Sequence, residues 1–223
     1  MKRPLRWRDL LTINAFWLGA NIGSGILTPV LVPFLVALFM PAELKNSYLA
    51  TVRVIGLAVA MLVQPLAGLL SDRSTSRFGR RRPFIAAGAL FNIVFLLIIG
   101  ASPSFLGPAN AGAGKAYLVL IAGMALLQAS ANVAQGALQG LIPDNVPESQ
   151  RGQASGVKSV FELLPIFVVI LIGPLVDAGR IWLVVGIMMA AYACTAAINV
   201  FGVSGGPARS VIQRFAKSCS AGF

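Results

Sequence analysis

Six long apolar runs make up most of this 223-residue chain, and short polar or charged segments separate them. The runs cover about 10–39, 48–71, 83–101, 116–142, 153–176 and 181–201. Each has close to the ~20 residues that an α-helix needs to cross a bilayer. Only helices and closed barrels satisfy their backbone groups in lipid. The pattern therefore predicts an all-α, polytopic membrane protein with six transmembrane helices. The first run is longer than a bilayer requires, so tilt or a kink is expected. Pro29 and Pro33 place that kink in its outer half.

Polar residues inside the runs fall in register. Asn14, Trp17, Asn21, Ser24 and Thr28 alternate steps of three and four, which puts them on one helical stripe. Gln128, Asn132, Gln135 and Gln139 form a second stripe in the fourth run. An unpaired amide in hydrocarbon costs several kcal/mol, on the order of 4 or more, so these side chains face a partner or water. A single Asn or Gln serves equally well to glue helices together. Whole stripes point to a polar cavity wall, and Asn14, Trp17, Asn21, Gln128, Asn132 and Gln135 are candidate solute contacts. Arg53, near the outer end of the second run, either snorkels to the interface or faces the cavity to hold an anionic or hydroxyl-rich ligand. Lys158 and Glu162 are four apart on one face of the fifth run. They read either as a neutralising pair or as a coupling site with Glu162 carrying the proton or substrate link.

Composition agrees with the pattern. Hydrophobic residues make up 57% of the chain and charged ones 11%; a soluble domain carries roughly 25% charged residues. The formal net charge of +11 would suggest nucleic acid in a soluble protein. Here the basic residues gather on one side of the membrane, so the charge is a topology signal and no nucleic-acid partner is expected. Four precede the first run, five arginines lie in the segment 73–82, and Arg151, Lys158, Arg209, Arg214 and Lys217 follow on the same side. Only Lys45, Lys115 and Arg180 fall opposite. Both termini and the arginine hairpin are thus expected in the cytoplasm, with the chain in the plasma (inner) membrane. The basic start is followed by a run too long for a signal peptide, which predicts an uncleaved first span. The segment 202–223 is polar and Gly/Ser-rich, and is expected to be a disordered cytoplasmic tail.

The chain has no histidine and two cysteines, Cys194 and Cys219. No metal site, cofactor or enzymatic constellation is expected from that set. A faint repeat is present. Gly68-x-x-x-Asp72 closes the second run and Gly173-x-x-x-Asp177 closes the fifth, at opposite membrane faces. That fits a three-plus-three inverted repeat, an architecture used for alternating access.

The hairpin carries the most specific signal. Gly68-x-x-x-Asp72-Arg73, followed by Gly79-Arg80-Arg81, resembles the signature between the second and third helices of the major facilitator superfamily. The run from Asp72 to Phe84 looks most like the glycoside–pentoside–hexuronide and sucrose-type symporters. The segment Gln139-Gly-Leu-Ile-Pro-Asp144, continuing to Arg151-Gly152, is similar to those families' turn between helices four and five. The resemblance covers residues 5–200 or so. It implies a secondary transporter of a small polar solute, a sugar or glycoside, with proton or sodium coupling. Gly68, Asp72, Arg73, Gly79, Arg80 and Arg81 would form its gating motif.

Members of the superfamily have two six-helix halves, and this sequence matches one. Asp72 would meet the start of a fifth helix in the other half. A truncated N-terminal half, ranked first, or two copies pairing through Asp72 and the region 153–155 both accommodate this. The partners expected are the bilayer, a small polar solute, and a second half or second copy. The alternative from another class is a non-transporting remnant or scaffold that binds partners through its basic face.

Overall fold

The structure, a computed structural model, describes residues 5–74 and 81–202. Gly79, Arg80 and the expected tail over 203–223 lie outside the described residues. Among the described residues there is no strand, and six helices are long and apolar enough to cross a membrane. They are span 1 (Trp7–Phe39), span 2 (Lys45–Arg73), span 3 (Arg82–Phe105), span 4 (Ala113–Asn145), span 5 (Glu148–Asp177) and span 6 (Ile181–Gly202). The protein is a multi-pass membrane protein.

Local chemistry sets where these helices start, bend and stop. Asp9 sits in the first turn of span 1, and its Oδ2 accepts from the Arg6 backbone N–H at 3.0 Å, occupying an otherwise orphan donor. Pro29 has no N–H to offer the ladder. Span 1 answers with a π-helical turn over Leu27–Leu31 before the α-helix resumes at Val32. Span 5 is interrupted in the same way: one helix ends at Leu163 and the next begins at Pro165. Gly179 ends span 5 with φ +70°, a left-handed turn that reverses the chain into span 6.

The packing order is span 2 against 4, 4 against 3, 3 against 6, 6 against 1, and 1 against 5. Exchanging spans 1 and 4, 2 and 5, and 3 and 6 leaves this order unchanged. Two three-helix units of opposite direction are thus related by a pseudo-twofold axis, as the short sequence repeat predicts. Spans 1 and 4 are the most enclosed, with 44% of their apolar windows buried, whereas spans 2 and 5 bury 17% and form the edges.

Lipid tails are as apolar as leucine, so close packing and polar ties hold such helices together. A Cβ on Gly136 would come within 2.9 Å of the Gln64 carbonyl oxygen and 3.0 Å of the Gly68 nitrogen, so the two glycines let spans 4 and 2 cross closely. Ser130 Oγ donates to Asn92 Oδ1 at 2.5 Å between spans 4 and 3. Asn199 Nδ2 donates to the Thr12 and Ile13 carbonyls at 3.1 and 2.9 Å, tying span 6 to span 1. Asn92, the polar residue within the apolar run of span 3, is the one that span 3 uses in this contact with span 4.

Candidate functional site

Polar and charged side chains gather at two levels. The first is at the hairpin end. Arg81 immediately precedes span 3 and is 8% exposed. Its Nη2 lies 2.7 Å from Asp72 Oδ1 at the end of span 2. Its Nε donates to Asp144 Oδ2 at 2.6 Å near the end of span 4, and Nη1 reaches the Ala137 carbonyl at 3.4 Å. One guanidinium fork therefore joins the ends of spans 2, 3 and 4. Both carboxylate contacts are short, as charge-assisted hydrogen bonds are. Gly140 makes room for it, because a Cβ there would overlap the guanidinium.

Asp72 has a partner inside its own chain, besides the helix start in another half or copy to which the sequence assigned it. The sequence placed it against the start of a fifth helix in another half or copy; the structure pairs it with Arg81 of its own chain. The Asp72 side chain remains 54% exposed, so one face of the carboxylate stays open. Arg73 is exposed in the last turn of span 2, where a cation is favoured by the helix dipole. Gly68 is the close-packing residue opposite Gly136.

The second level lies within the membrane. Thr28 and Val32 of span 1, Arg53, Gly56, Leu57 and Ala60 of span 2, and Met124 and Gln128 of span 4 surround a cleft of about 160 Å³. The π-helical turn carries Thr28 into it. Gly56 lies against the Gln128 side chain, so the amide reaches the cleft over a bare helix surface. Arg53 lines the cleft eight residues past Lys45, about 12 Å of helical rise from that end of span 2. Among the described residues no carboxylate reaches it.

Span 5 carries the other intramembrane charges. Lys158 Nζ lies 3.4 Å from Glu162 Oε1 and 4.2 Å from the centre of the Trp17 ring. The ammonium is thus shared between a carboxylate and an aromatic face. This brings together Trp17, Lys158 and Glu162, which sequence spacing had assigned to separate stripes.

The amides divide. Asn21 and Asn132 each turn back on their own helix, donating to the Trp17 and Gln128 carbonyls at 2.7 and 2.8 Å. Asn132 is 6% exposed, and Gln135 is half-buried beside it. Asn14 is fully enclosed and donates to the Leu10 carbonyl and, across to span 5, to the Ala154 carbonyl at 3.2 Å. It acts here as a helix tie and faces no open cavity, because span 5 covers its end of the stripe. Its Oδ1 has no partner among the described residues.

Three functional contacts were missed in the sequence. Asp144 as an Arg81 ligand lay in a segment read for its likeness to a family turn and not as a partner of the hairpin, although Gly140, one helical turn earlier, marks the space. Asn199 and Ser130 are isolated polar residues in apolar helices, a signal of interhelical bonding that single-run stripes do not reveal. Among the described residues no group of His, Cys, Asp and Glu has the arrangement of a metal site.

Comparison with known proteins matches residues 17–206 to a family described as MFS/sugar transport protein. The sucrose transport protein SUC4 of Arabidopsis thaliana is 29% identical over 160 residues, which is 69% of this chain and 31% of the plant protein. The general alpha-glucoside permease of Schizosaccharomyces pombe is 30% identical over 152 residues, 66% of this chain and 25% of the permease. The sucrose transport protein SUT2 of Oryza sativa subsp. indica is 32% identical over 152 residues, 64% of this chain and 29% of the rice protein. The matched part is thus between a quarter and a third of each of these relatives' length.

Proposed function

The chain belongs to the MFS/sugar transport protein family, and on that premise we propose that it forms one cavity-bearing half of a secondary transporter for a small polar solute of the sugar kind. The observation that carries this reading is the cleft itself. Thr28, Arg53 and Gln128 converge from three different spans on one space inside the membrane. Three hydrogen-bonding side chains around a wall otherwise made of Val, Leu, Ala, Met and Gly suit a polyhydroxy solute with apolar ring faces.

At about 160 Å³ the cleft is smaller than the roughly 300–1,000 Å³ of an ordinary ligand pocket. A facing surface completes it, and spans 2 and 5, the least buried helices, are the edges on which a second six-helix half or a second copy would sit. Rocking of the two surfaces about the cleft gives alternating access. Arg81 is the latch on the hairpin side. It holds the ends of spans 2, 3 and 4 together, while the open face of Asp72 contacts the facing half in one conformation and leaves it in the other. Gly79 and Arg80 belong to the same gating motif in the sequence. The excess of Lys and Arg on that side orients it to the cytoplasm of the plasma (inner) membrane.

Lys158 and Glu162 supply the coupling. Protonating Glu162 leaves Lys158 with Trp17 alone, so the charge state of span 5 changes with one proton. Trp17, Asn21, Asn132 and Gln135 are assigned with that pair to the surface that faces the solute.

The test of the gate is Asp72→Asn in an assembly that transports. Uptake of labelled sugar is expected to fall about tenfold or more with membrane insertion intact, since a lost charge-assisted contact is worth about 1.5–3 kcal/mol. Wild-type uptake by the variant would remove Asp72 from the mechanism.

A further inference from the structure

Span 5 meets span 1 through two successive polar rungs. At the first, Asn14 Nδ2 donates to the Ala154 carbonyl at 3.2 Å. At the second, Lys158 Nζ lies 4.2 Å from the centre of the Trp17 ring. Asn14 and Trp17 are three residues apart, and Ala154 and Lys158 four, so the rungs are about 5 Å, one helical turn, apart. The ammonium has a further partner in Glu162 Oε1 at 3.4 Å, on the side away from Asn14. Asn14 is fully buried, and its Oδ1 accepts no hydrogen bond among the described residues. Such an acceptor costs about as much as a lost hydrogen bond, so its presence calls for a donor that reaches it in another state.

The internal repeat links that acceptor to Glu162. The register shift that superposes Gly68 on Gly173 and Asp72 on Asp177 also superposes Arg53 on Lys158 and Leu57 on Glu162. The shift for the inner spans superposes Asn21 on Asn132, which make the same bond to the residue four back, and it superposes Asn14 on Ala125. Both halves of the repeat therefore carry a cation on the edge span. The Lys158 half has a carboxylate on one side of it and a buried amide on the other. The Arg53 half has Leu57 and Ala125 in those two places.

A helical side chain leans toward the N-terminus of its own helix and covers the turn before it. For Lys158 that turn holds Ala154, against which Asn14 is tied. The ion pair with Glu162 draws the ammonium the other way. Lysine has three donors on a flexible stem, so it can swing between two acceptors. On the reading of Lys158 and Glu162 as the coupling pair, we propose that Asn14 Oδ1 is the second seat of the Lys158 ammonium, taken when Glu162 is protonated. Asn14 is then a positioning residue of the coupling step. A proton from water goes onto a Glu162 carboxylate oxygen, the ion pair opens, and the positive charge moves about 5 Å toward the Arg151 end of span 5. No charged residue of span 1 within 10–39 or of span 6 competes for it. Below Asn14, Arg8 is exposed and Asp9 is bonded to the Arg6 N–H. Asp144 is joined to Arg81, Glu148 to Arg151, and Tyr192 is turned to Phe16 and Gly23.

The full chain, carrying Trp7→Phe and Trp182→Phe so that Trp17 is the sole indole, is placed in phosphatidylcholine nanodiscs and titrated with acid. The carboxyl C=O stretch, as an infrared difference against Glu162→Gln, reads the proton on Glu162. Trp17 emission reads the ammonium on its ring. The two curves are expected to coincide. Asn14→Leu is expected to lower the midpoint of the infrared curve by about one pH unit or more, because the bond it removes is made only in the protonated state. It is also expected to hold the emission near its high-pH value. Asn14→Asp keeps an oxygen at the second seat and adds a charge, so its emission is expected at the low-pH value even in alkaline buffer. That variant carries the test if Asn14→Leu does not fold, which circular dichroism checks. Loss of the Ala154 tie alone would change unfolding stability and leave both curves in place.

Unchanged curves in Asn14→Leu, or emission at the high-pH value in Asn14→Asp, overturn the second seat and leave the Lys158–Glu162 coupling reading standing. Protonation of Glu162 with no change in Trp17 emission also overturns it, since the ammonium then stays on the ring. No protonation of Glu162 over the pH range in which the chain stays folded removes the coupling reading itself and this inference with it.

Discussion

Arg81 and Arg53 are two arginines in contact with span 2 whose surroundings are opposite. Arg81 lies at the membrane edge, where a basic loop could have stayed in water, yet it is buried and held by two carboxylates and a carbonyl. Arg53 lies within a span, where burial and pairing would be expected, yet it is exposed to a cleft and no described carboxylate meets it. The difference separates a finished structural joint from an unfinished binding surface. The Arg81 site is complete within one chain, and its job is to fix helix ends. The Arg53 site is open on one side and has no counter-charge among the described residues.

The largest effect expected is the one that breaks this contrast most directly. Arg81→Gln removes the guanidinium that Asp72 and Asp144 share. Removing one partner of a buried ion pair costs about 3–5 kcal/mol. Asp72, with its side chain 54% exposed, recovers part of its loss from water, so the low end of that range is expected. Arg53→Gln, the same chemical change, breaks no ion pair with a described residue and removes a charge that a membrane span holds at a cost, so it should not destabilise the fold. Unfolding titrations of the two variants in mixed micelles give the comparison. Similar losses in both would mean that Arg53 is as structural as Arg81.

Gly140→Ala attacks the joint from its other side. Alanine is the better helix former, but its Cβ would overlap the Arg81 guanidinium. Overpacking of this kind costs about 1–3 kcal/mol, and the fork must shift off Asp144. In the Arg81→Gln background the same change should become neutral or slightly stabilising, because the obstructed group is gone. Additive losses in the double variant would show that Gly140 serves something other than the arginine.

What the sequence made legible follows the same division. Six spans, the one-sided charge and the inverted repeat were readable because hydrophobic run length and the Lys/Arg distribution are properties of segments. Trp17, Lys158 and Glu162 were each singled out, but their convergence depends on span 5 lying beside span 1, which no spacing within a helix encodes. Asn14 was read as a cavity residue because it continues the stripe of Asn21; span 5 covers that end of the stripe, and the Ala154 carbonyl takes its amide. The Arg81 fork was half legible. The arginine stood in a recognisable run, but that run set Asp72 against another half or copy, whereas Asp144 comes from the last helical turn of span 4.

The smallest change in stability carries the sharpest test of the comparison. Glu162→Gln and Leu57→Glu together move one carboxylate from span 5 to its repeat-related position on span 2. Each side of the exchange involves one partly exposed pair spaced by four residues, a geometry worth about 0.3–0.5 kcal/mol, so unfolding stability should barely move. The dependence on the two cations should change places. The carboxylate brought in by Leu57→Glu would stand one turn from Arg53, as Glu162 now stands one turn from Lys158. Arg53→Gln, which breaks no ion pair with a described residue in the natural chain, should then cost about 0.3–0.5 kcal/mol, and Lys158→Gln should cease to cost it. The same unfolding titrations, run as double-mutant cycles, read both. An exchanged chain in which Arg53→Gln still costs nothing would mean that Arg53 stays apart from a carboxylate on its own helix, and that its contrast with Arg81 lies in geometry and not in a missing counter-charge.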